Sequence, residues 1–220
     1  MGGAVIFDLD GVIVDSEIWW HEARVAWAAE RGLEWTDDDS RAVMGANSRG
    51  WARIMRERMH LPQRDEPAIL DDIVARVVRR YERGAPAIEG AVAAVRAIAS
   101  TWPVAVASSA HRAVIDAALD ATGLAGVFAI TVSSDEVAHG KPEPDVYLEA
   151  ARRIDVPPSS CLVVEDSING IRAGKSAGMI VVLVPNASVP PAAGAEALAD
   201  HVVESLSDID PGRLLEARPA

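Results

Sequence analysis

Short, continuous apolar runs alternate along the chain with segments of helical periodicity. Five such runs can be recognised, and the weakest of them covers Val127–Val132. Because the runs are rich in β-branched residues and do not alternate with polar residues, they are typical of strands buried on both faces of a parallel sheet. The four clearest runs are Ala4–Phe7, Pro103–Ala107, Cys161–Val164 and Ile180–Val184.

The segments between the later runs have the apolar spacing of helices. One helix is predicted from about His111 to Thr122, with Gly123 as a plausible C-terminal cap. A second begins near Pro144, and a third follows Ser167 and stops at Gly178. Strand, helix and strand repeat in this order, which predicts an open, doubly wound α/β domain with a parallel sheet.

Residues 16–84 lack any strand-like run and show helical periodicity instead, from residues 18 to 31 and again from 69 to 81. This stretch is predicted to be an all-helical insertion placed just after the first strand. The predicted α/β core therefore consists of residues 1–15 and 85–220. The segment from Pro185 to Ala199, rich in alanine and proline, is predicted to be a surface connection.

Composition narrows the possible partners and the compartment. The chain has 21 Lys and Arg against 33 Asp and Glu, a formal net charge of −12, so a nucleic acid is not expected as a partner. The apolar N-terminal run is too short for a signal peptide or a membrane span. The single Cys161 lies within an apolar run and is predicted to be a buried thiol. We expect a cytoplasmic protein, a monomer or a weak homodimer, with no membrane partner.

Polar residues suited to one chemistry follow the predicted strands. Asp8 and Asp10 follow the first run, and Lys141 lies in a loop ahead of the helix near Pro144. Ligands of such sheets bind beyond the carboxyl ends of the strands, so these groups are expected to converge on one edge. The other members of the set are Ser108, Ser109, Glu165 and Asp166.

Several carboxylates placed together repel one another unless a cation lies among them. Oxygen ligands of this kind suit Mg²⁺. In such a site Asp8 would stay ionised and could attack phosphorus to form an aspartyl-phosphate, while Asp10 could protonate the leaving oxygen. Ser108 at the start of a helix would hold a phosphoryl oxygen, and Lys141 would neutralise its charge. The residues alone thus predict a magnesium-dependent phosphotransferase.

Four segments also resemble the motifs of the haloacid dehalogenase superfamily. They are Phe-Asp-Leu-Asp-Gly-Val (7–12), Ala-Ser-Ser (107–109), Gly-Lys-Pro-Glu-Pro-Asp (140–145) and Val-Glu-Asp-Ser-Ile-Asn-Gly-Ile (164–171). Asp-Ser-Glu (15–17), followed by helices, is similar to the subgroup with a helical cap inserted after the first motif, which contains β-phosphoglucomutases and many sugar-phosphate phosphatases. The resemblance implies a Rossmann-like core with residues 16–84 as the cap.

The same resemblance implies a role for each motif residue. Asp8 would be the nucleophile and Asp10 the general acid and base. The implied phosphate-binding residues are Ser108, Ser109 and Lys141. The implied Mg²⁺ ligands are Asp8, the Asp10 carbonyl, Glu165 and Asp166.

The cap is expected to select the substrate by closing over the sheet edge. Five of the six tryptophans lie in it, and their spacing indicates packing within the cap, with an aromatic lining for the substrate as the alternative. His21 lies one position after the place where mutases of this subgroup have a helper histidine, and Arg49 could bind a second phosphate or a carboxylate or could be solvated. The predicted substrate-contacting residues of the cap are Glu17, Trp20, His21 and Arg49.

These observations predict a phosphatase for small phosphorylated metabolites. A phosphomutase is the alternative, weakened because Ser109-Ala110-His111-Arg112 replaces the serine-lysine-asparagine pattern usual in mutases. Dehalogenase chemistry is disfavoured by the acid at position 10, and phosphonate hydrolysis by the lack of any lysine in residues 16–84. A receiver-type phosphoacceptor domain, a more remote alternative, would lack both the insertion and the Asp8-X-Asp10 arrangement.

Overall fold

The structure, a computed structural model, describes residues 2–43 and 46–216. Its centre is a parallel sheet in the order β3-β2-β1-β4-β5-β6. The first and last residues of the predicted core, 1 and 217–220, and residues 44–45 of the predicted cap lie outside the described residues. The strands are β1 (Ala4–Phe7), β2 (Val104–Ser108), β3 (Ile130–Ser133), β4 (Cys161–Glu165), β5 (Ile180–Leu183) and β6 (His201–Val202).

Ten α-helices accompany this sheet within the described residues. Four lie between β1 and β2 in the inserted segment: α1 (Glu17–Ala29), α2 (Asp37–Val43), α3 (Ser48–Arg58) and α4 (Glu66–Tyr81). The others are α5 (Ala91–Ala99), α6 (Arg112–Ala121), α7 (Asp145–Ile154), α8 (Ile168–Ser176), α9 (Ala195–Leu198) and α10 (Pro211–Glu216). None of the helices in residues 2–43 and 46–216 is long and apolar enough to cross a bilayer.

Both faces of the sheet are buried, which explains why its strands are apolar without alternation. Ala4 and Ile6 of β1 belong to a hydrophobic cluster completed by α7 and α8. Val5 and Phe7 point to the opposite cluster, which includes side chains of α5, α6 and the inserted helices. Helices therefore cover the two faces, and the prediction of a doubly wound α/β fold is confirmed.

The inserted helices share the second cluster with the sheet, since Trp27 of α1 and Val77 of α4 belong to it along with Phe7. Trp20, Trp27, Trp35 and Trp51 are all buried there, and Trp19 is partly buried against the same cluster, which agrees with packing within the cap. Trp20 and Trp51 also border the cavity described below, so the alternative of an aromatic lining for the substrate stays open. The boundary of the cap at residues 16 and 84 stays a prediction, and α1–α4 all fall inside it.

Some elements differ from the sequence expectation. The weak run at 127–132 becomes a strand only from Ile130 to Ser133, because residues 127–129 form the turn that precedes it. The two-residue strand β6 contains too few residues to show a pattern. The segment from Pro185 to Ala199 is more than a surface connection, since it contains α9, whose Ala195 is buried against α8. Cys161 is buried, as predicted.

Candidate active site

The carboxyl ends of β1, β2 and β4 lie level with one another at one edge of the sheet. Phe7 pairs in register with Val106 on one side and Val164 on the other, and the Asp8 N–H donates to the Val164 carbonyl at 2.9 Å. Residues one or two positions beyond these pairs therefore meet at the same edge. This register brings Asp8, Ser108 and Glu165 together, as the sequence predicted.

Lys141 is the cation at the centre of this edge. Its Nζ lies 2.5 Å from Asp8 Oδ1 and 2.6 Å from Glu165 Oε1, and all three side chains are buried. Burial alone would lower the pKa of Lys141, but the Asp8 and Glu165 carboxylates raise it well above its ordinary value. The ammonium thus stays charged, although Nζ lies in a site shielded from water.

Glu165 has no exposed surface, and each of its oxygens accepts several hydrogen bonds. Oε1 accepts from Lys141 and, at 2.7 Å, from the Tyr147 hydroxyl. Oε2 accepts from the backbone N–H groups of Asp166 and Ser167 and from Ser167 Oγ, at 2.9 to 3.1 Å. Burial alone would raise the pKa of Glu165, but Lys141 and these donors hold it below its ordinary value. Glu165 is therefore a fixed anion that orients Lys141.

Asp8, Glu165 and Asp166 form the one group of carboxylates in residues 2–43 and 46–216 that could hold a metal ion. Each offers an oxygen, and these oxygens lie within 4.8 Å of one another. Burial, followed by the charges of Glu165 and Asp8, raises the pKa of Asp166 well above its ordinary value. Such clustered, mutually repelling oxygen donors fit Mg²⁺, a hard cation.

Gly11 allows Asp166 to approach this group. Its φ of +87° is a left-handed conformation, and a Cβ at this position would lie 1.9 Å from Asp166 Oδ2. Any side chain here would push the carboxylate away and strain the turn. The glycine of the first motif thus leaves room for an acid of the last one.

Asp10 lies just beyond Asp8 and borders the same cavity. Its Oδ1 accepts a hydrogen bond from Ser16 Oγ. Burial raises the pKa of Asp10 to about 6, opposed by the bond from Ser16 and reinforced by the charge of Glu17. Burial likewise raises the pKa of Asp8 to about 7, against the lowering effect of Lys141. An acid with a pKa near 6 can both hold and release a proton at neutral pH.

The phosphate-binding candidates lie at the same edge of the sheet. Ser108 Oγ accepts from the Ala110 N–H at 3.0 Å, which places this hydroxyl in the loop that leads into α6. Ser108, Ser109 and Lys141 all border the cavity. Hydroxyls and N–H groups ahead of a helix are suited to phosphoryl oxygens.

A cavity of about 360 Å³ joins the sheet edge to the cap. Its floor includes Asp8, Asp10 and Asp166, and its cap side includes Trp20 and Trp51. The Pro185–Ala199 segment forms a third wall with Asn186 and residues 189–192. The sequence predicted only a surface connection here. It could not show this wall, because the segment follows β5 and its course over the site depends on the position of that strand in the sheet.

The four predicted cap residues divide into two pairs. Glu17 and Trp20 border the cavity. His21 and Arg49 are not among the described residues that line it. His21 Nδ1 lies 2.8 Å from Ser40 Oγ, and Arg49 is exposed. Trp20 borders the cavity in place of His21, because the buried face of α1 runs through Trp20 and Trp27.

Besides the Pro185–Ala199 wall, sequence reasoning missed Ser16, Tyr147 and Arg24. Ser16 and Tyr147 are hydrogen-bonded to Asp10 and Glu165, and Arg24 borders the cavity from α1. Arg24 did leave a signal, since it lies four residues after Trp20 and three before Trp27 and is thus a charge on an apolar helical face. Tyr147 gave none, because its spacing is that of an ordinary core residue.

Comparison with known families agrees with this geometry. The model of the haloacid dehalogenase-like hydrolases matches residues 3–178, which include every residue of the sheet-edge cluster. The chain belongs to this family. The resemblance of the four motifs is therefore confirmed.

This haloacid dehalogenase-like hydrolase is similar to named phosphatases. It is 32% identical over 214 residues to the bifunctional riboflavin kinase/FMN phosphatase of Arabidopsis thaliana, a match covering 95% of this chain and 55% of that protein. It is 31% identical over 222 residues to hexitol phosphatase B of Escherichia coli (strain K12), covering 96% of each. The chain thus spans about half of the first relative and nearly all of the second. Their names support the prediction of a phosphoric monoester hydrolase.

A solved structure gives the same picture of the fold. The β-phosphoglucomutase of Clostridium difficile superposes with a TM-score of 0.83 over 98% of this chain and 96% of that one, at 22% identity. At this identity the likeness concerns the fold. It confirms an α/β core with an inserted helical cap.

Proposed function

We propose that this hydrolase is a magnesium-dependent phosphatase of a small phosphorylated metabolite, acting through a phosphorylated Asp8. The observation that carries the proposal is the position of Asp8 at the cavity floor. Lys141 holds its Oδ1 at 2.5 Å, and Oδ2 accepts no hydrogen bond from residues 2–43 and 46–216. One oxygen is therefore fixed and the other is open to an incoming phosphorus atom.

The chemistry can be assigned to the residues in two steps. In the first, an Asp8 oxygen attacks phosphorus, the ester P–O bond breaks, and Asp10 gives its proton to the leaving oxygen. In the second, Asp10 takes a proton from a water molecule that attacks the aspartyl-phosphate, and the bond from phosphorus to Asp8 breaks to release inorganic phosphate. Lys141, Ser108 and Ser109 would hold the phosphoryl oxygens throughout.

Asp8, Glu165 and Asp166, with the Asp10 carbonyl, would hold Mg²⁺. The ion would supply the positive charge that keeps Asp8 ionised beside the other acids and offsets charge on the phosphoryl group. The raised pKa values of Asp8 and Asp166 support this assignment, since both groups need more positive charge than Lys141 alone provides.

The substrate class follows from the cavity and the relatives. About 360 Å³ is the size of a pocket for a small molecule. The relatives named above are phosphatases whose printed names refer to FMN and to hexitols. A small phosphate monoester fits both observations.

A phosphomutase of the β-phosphoglucomutase kind is the second candidate. It would share the first step and then pass the phosphoryl group from Asp8 to a second hydroxyl of the substrate. The tryptophans on the cap side of the cavity favour it, because a mutase must keep water from the phosphorylated aspartate.

Hydrolysis of p-nitrophenyl phosphate tests the proposal. We expect turnover that needs Mg²⁺, stops with a chelator and returns when Mg²⁺ is restored. Asp8→Asn should lower kcat by roughly 10³-fold or more, since the nucleophile is lost. Asp120→Asn, at an exposed position of α6, is the matched control and should keep full activity.

Each rival gives a different result in the same experiment. Turnover without any divalent ion would contradict the metal assignment. A stable phosphoprotein without release of phosphate would favour a phosphoacceptor domain. Conversion of β-glucose 1-phosphate primed with glucose 1,6-bisphosphate, faster than release of phosphate, would favour the mutase.

A further inference from the structure

Arg24 is a buried cation on the cap side of the cavity. Its side chain is 5% exposed and borders the same cavity as Asp8. The guanidinium carbon lies 5.3 Å from the centre of the Trp20 ring and 5.2 Å from that of Trp51. The two indoles meet edge to face, so they hold the guanidinium in a defined position.

This arginine has no ion-pair partner within the described parts of the chain. Its Nε is buried and donates to no hydrogen-bond acceptor there, and no carboxylate of residues 2–43 and 46–216 lies within 4.0 Å of its nitrogens. Most other arginines of the inserted segment are paired with carboxylates. They are Arg31, Arg41, Arg56, Arg58, Arg64, Arg76 and Arg80.

A buried, unpaired charge is costly, and proteins normally avoid it or use it. Burial lowers the pKa of Arg24 to about 10, opposed by the charge of Glu17, so the guanidinium remains protonated at neutral pH. The two rings offset only part of the lost hydration. An anion from outside the chain would complete the site.

We propose that Arg24 binds a second anionic group of the substrate, a carboxylate or a second phosphate, while the sheet edge binds the phosphoryl group that is transferred. This inference rests on the proposed function and narrows its substrate class. A guanidinium suits such groups because it can donate two parallel hydrogen bonds to a carboxylate or a phosphate. The single cavity that contains both Arg24 and Asp8 allows one small molecule to contact the two.

Matched phosphate esters test the inference in the wild-type enzyme. Glycerol 3-phosphate and 3-phosphoglycerate share a three-carbon skeleton, but the second has a carboxylate where the first has a hydroxymethyl group. We expect kcat/KM to be about 10- to 100-fold higher for 3-phosphoglycerate, the range that charge-assisted hydrogen bonds supply. Fructose 6-phosphate against fructose 1,6-bisphosphate gives the same comparison for a second phosphate and distinguishes the two anions.

Substitutions then assign the preference to Arg24. Arg24→Met should remove most of the preference, measured within the variant as the ratio of kcat/KM for the anionic ester to that for its neutral partner. Arg24→Lys keeps the charge without the planar fork and should lose part of the preference. Arg53→Met, at an exposed cap arginine that forms no ion pair with any described residue, is the control and should behave as wild type.

The outcomes separate this inference from the proposed function. Equal kcat/KM for the neutral and anionic esters in the wild type would overturn the inference and leave the phosphatase intact. A ratio between the anionic and the neutral ester that is unchanged in Arg24→Met would show that Arg24 does not bind the second anion and would also overturn it. A wild type that hydrolyses no ester, p-nitrophenyl phosphate included, would instead refute the proposed function. If Arg24→Met does not fold, Arg24→Lys provides the same test, and an undiminished preference in that variant would overturn the inference.

Discussion

Glu165 has a carboxylate with no contact to solvent, and five hydrogen bonds compensate its burial. Bonds of this kind are worth more than neutral ones, because one partner is charged. The Tyr147 hydroxyl is one of these five donors. Its ring also contacts Lys141, whose Nζ is 4.8 Å from the ring centre. Tyr147 therefore positions two charged groups without touching the reacting atoms.

Removal of this hydroxyl should weaken both folding and catalysis. In Tyr147→Phe, Glu165 loses one donor, and we expect the free energy of unfolding to fall by about 1.5–3 kcal/mol, with a reduced but measurable kcat. Urea denaturation and steady-state assays would measure the two effects. The other tyrosine of the chain provides the comparison, because the Tyr81 hydroxyl lies near Ser16 and Asp10 but forms no hydrogen bond of normal geometry within the described residues. Equal effects of Tyr81→Phe and Tyr147→Phe would contradict this role.

At the level of single residues, the sequence predicted the polar groups of the sheet edge but not their neighbours. Asp8, Lys141 and Asp166 follow strands or loops whose ends converge in any doubly wound sheet, so topology alone brings them together. Arg24 and His21 both lie on α1, and only the rotation of that helix decides which of them faces the cavity. Packing of the tryptophans sets this rotation, and local sequence does not encode it directly.

At the scale of elements, a glycine in α8 makes room for the Glu165 side chain. Gly170 lies in the first turn of α8, and a Cβ there would be 1.7 Å from Glu165 Oε1. A flexible side chain could move away from such a contact, but Glu165 is fixed by its five donors. The buried Glu165 carboxylate therefore requires a glycine at position 170 of α8.

We expect Gly170→Ala to destabilise the protein although alanine is the better helix former. The gain in helix propensity is at most about 1 kcal/mol, whereas displacing Glu165 forces overpacking that costs about 1–3 kcal/mol and breaks hydrogen bonds to a charge. Gly212→Ala in α10 is the matched control, since the nearest atom to its Cβ would be 3.4 Å away. Thermal unfolding should show a lower Tm for the first variant and an unchanged or slightly higher one for the second. A Tm at or above that of the wild type in Gly170→Ala would refute this account of α8.

Elements were predicted well where their pattern is local. The runs behind β1, β2, β4 and β5 were visible because each strand is buried on both faces. Segments whose position depends on the whole fold were not. The Pro185–Ala199 segment has no periodicity of its own, and it becomes a wall of the cavity only because β5 ends beside β4.

The whole molecule has an excess of acidic residues, and four of them are concentrated at the sheet edge. Asp8, Asp10, Glu165 and Asp166 lie around a single ammonium, Lys141, so the folded state contains repulsion that the unfolded chain does not. A ligand that binds only the folded state raises its stability by mass action. Mg²⁺ should therefore stabilise the entire protein, independently of any turnover.

This stabilisation provides a test of the metal site that needs no substrate. At a free concentration 100 times its dissociation constant, Mg²⁺ would add about 2.7 kcal/mol, and about 2–4 °C of Tm for each kcal/mol is expected at this chain length. Asp166→Asn should abolish the increase, because it removes an oxygen anion from the site. Its own Tm without Mg²⁺ should equal or exceed that of the wild type, since it also removes a charge that Glu165 and Asp8 repel. Asp120→Asn should respond to Mg²⁺ as the wild type does, and NaCl at matched ionic strength should not reproduce the shift. If Asp166→Asn were stabilised as strongly as the wild type, Mg²⁺ would bind elsewhere, and the carboxylates at the sheet edge would need another source of compensating charge.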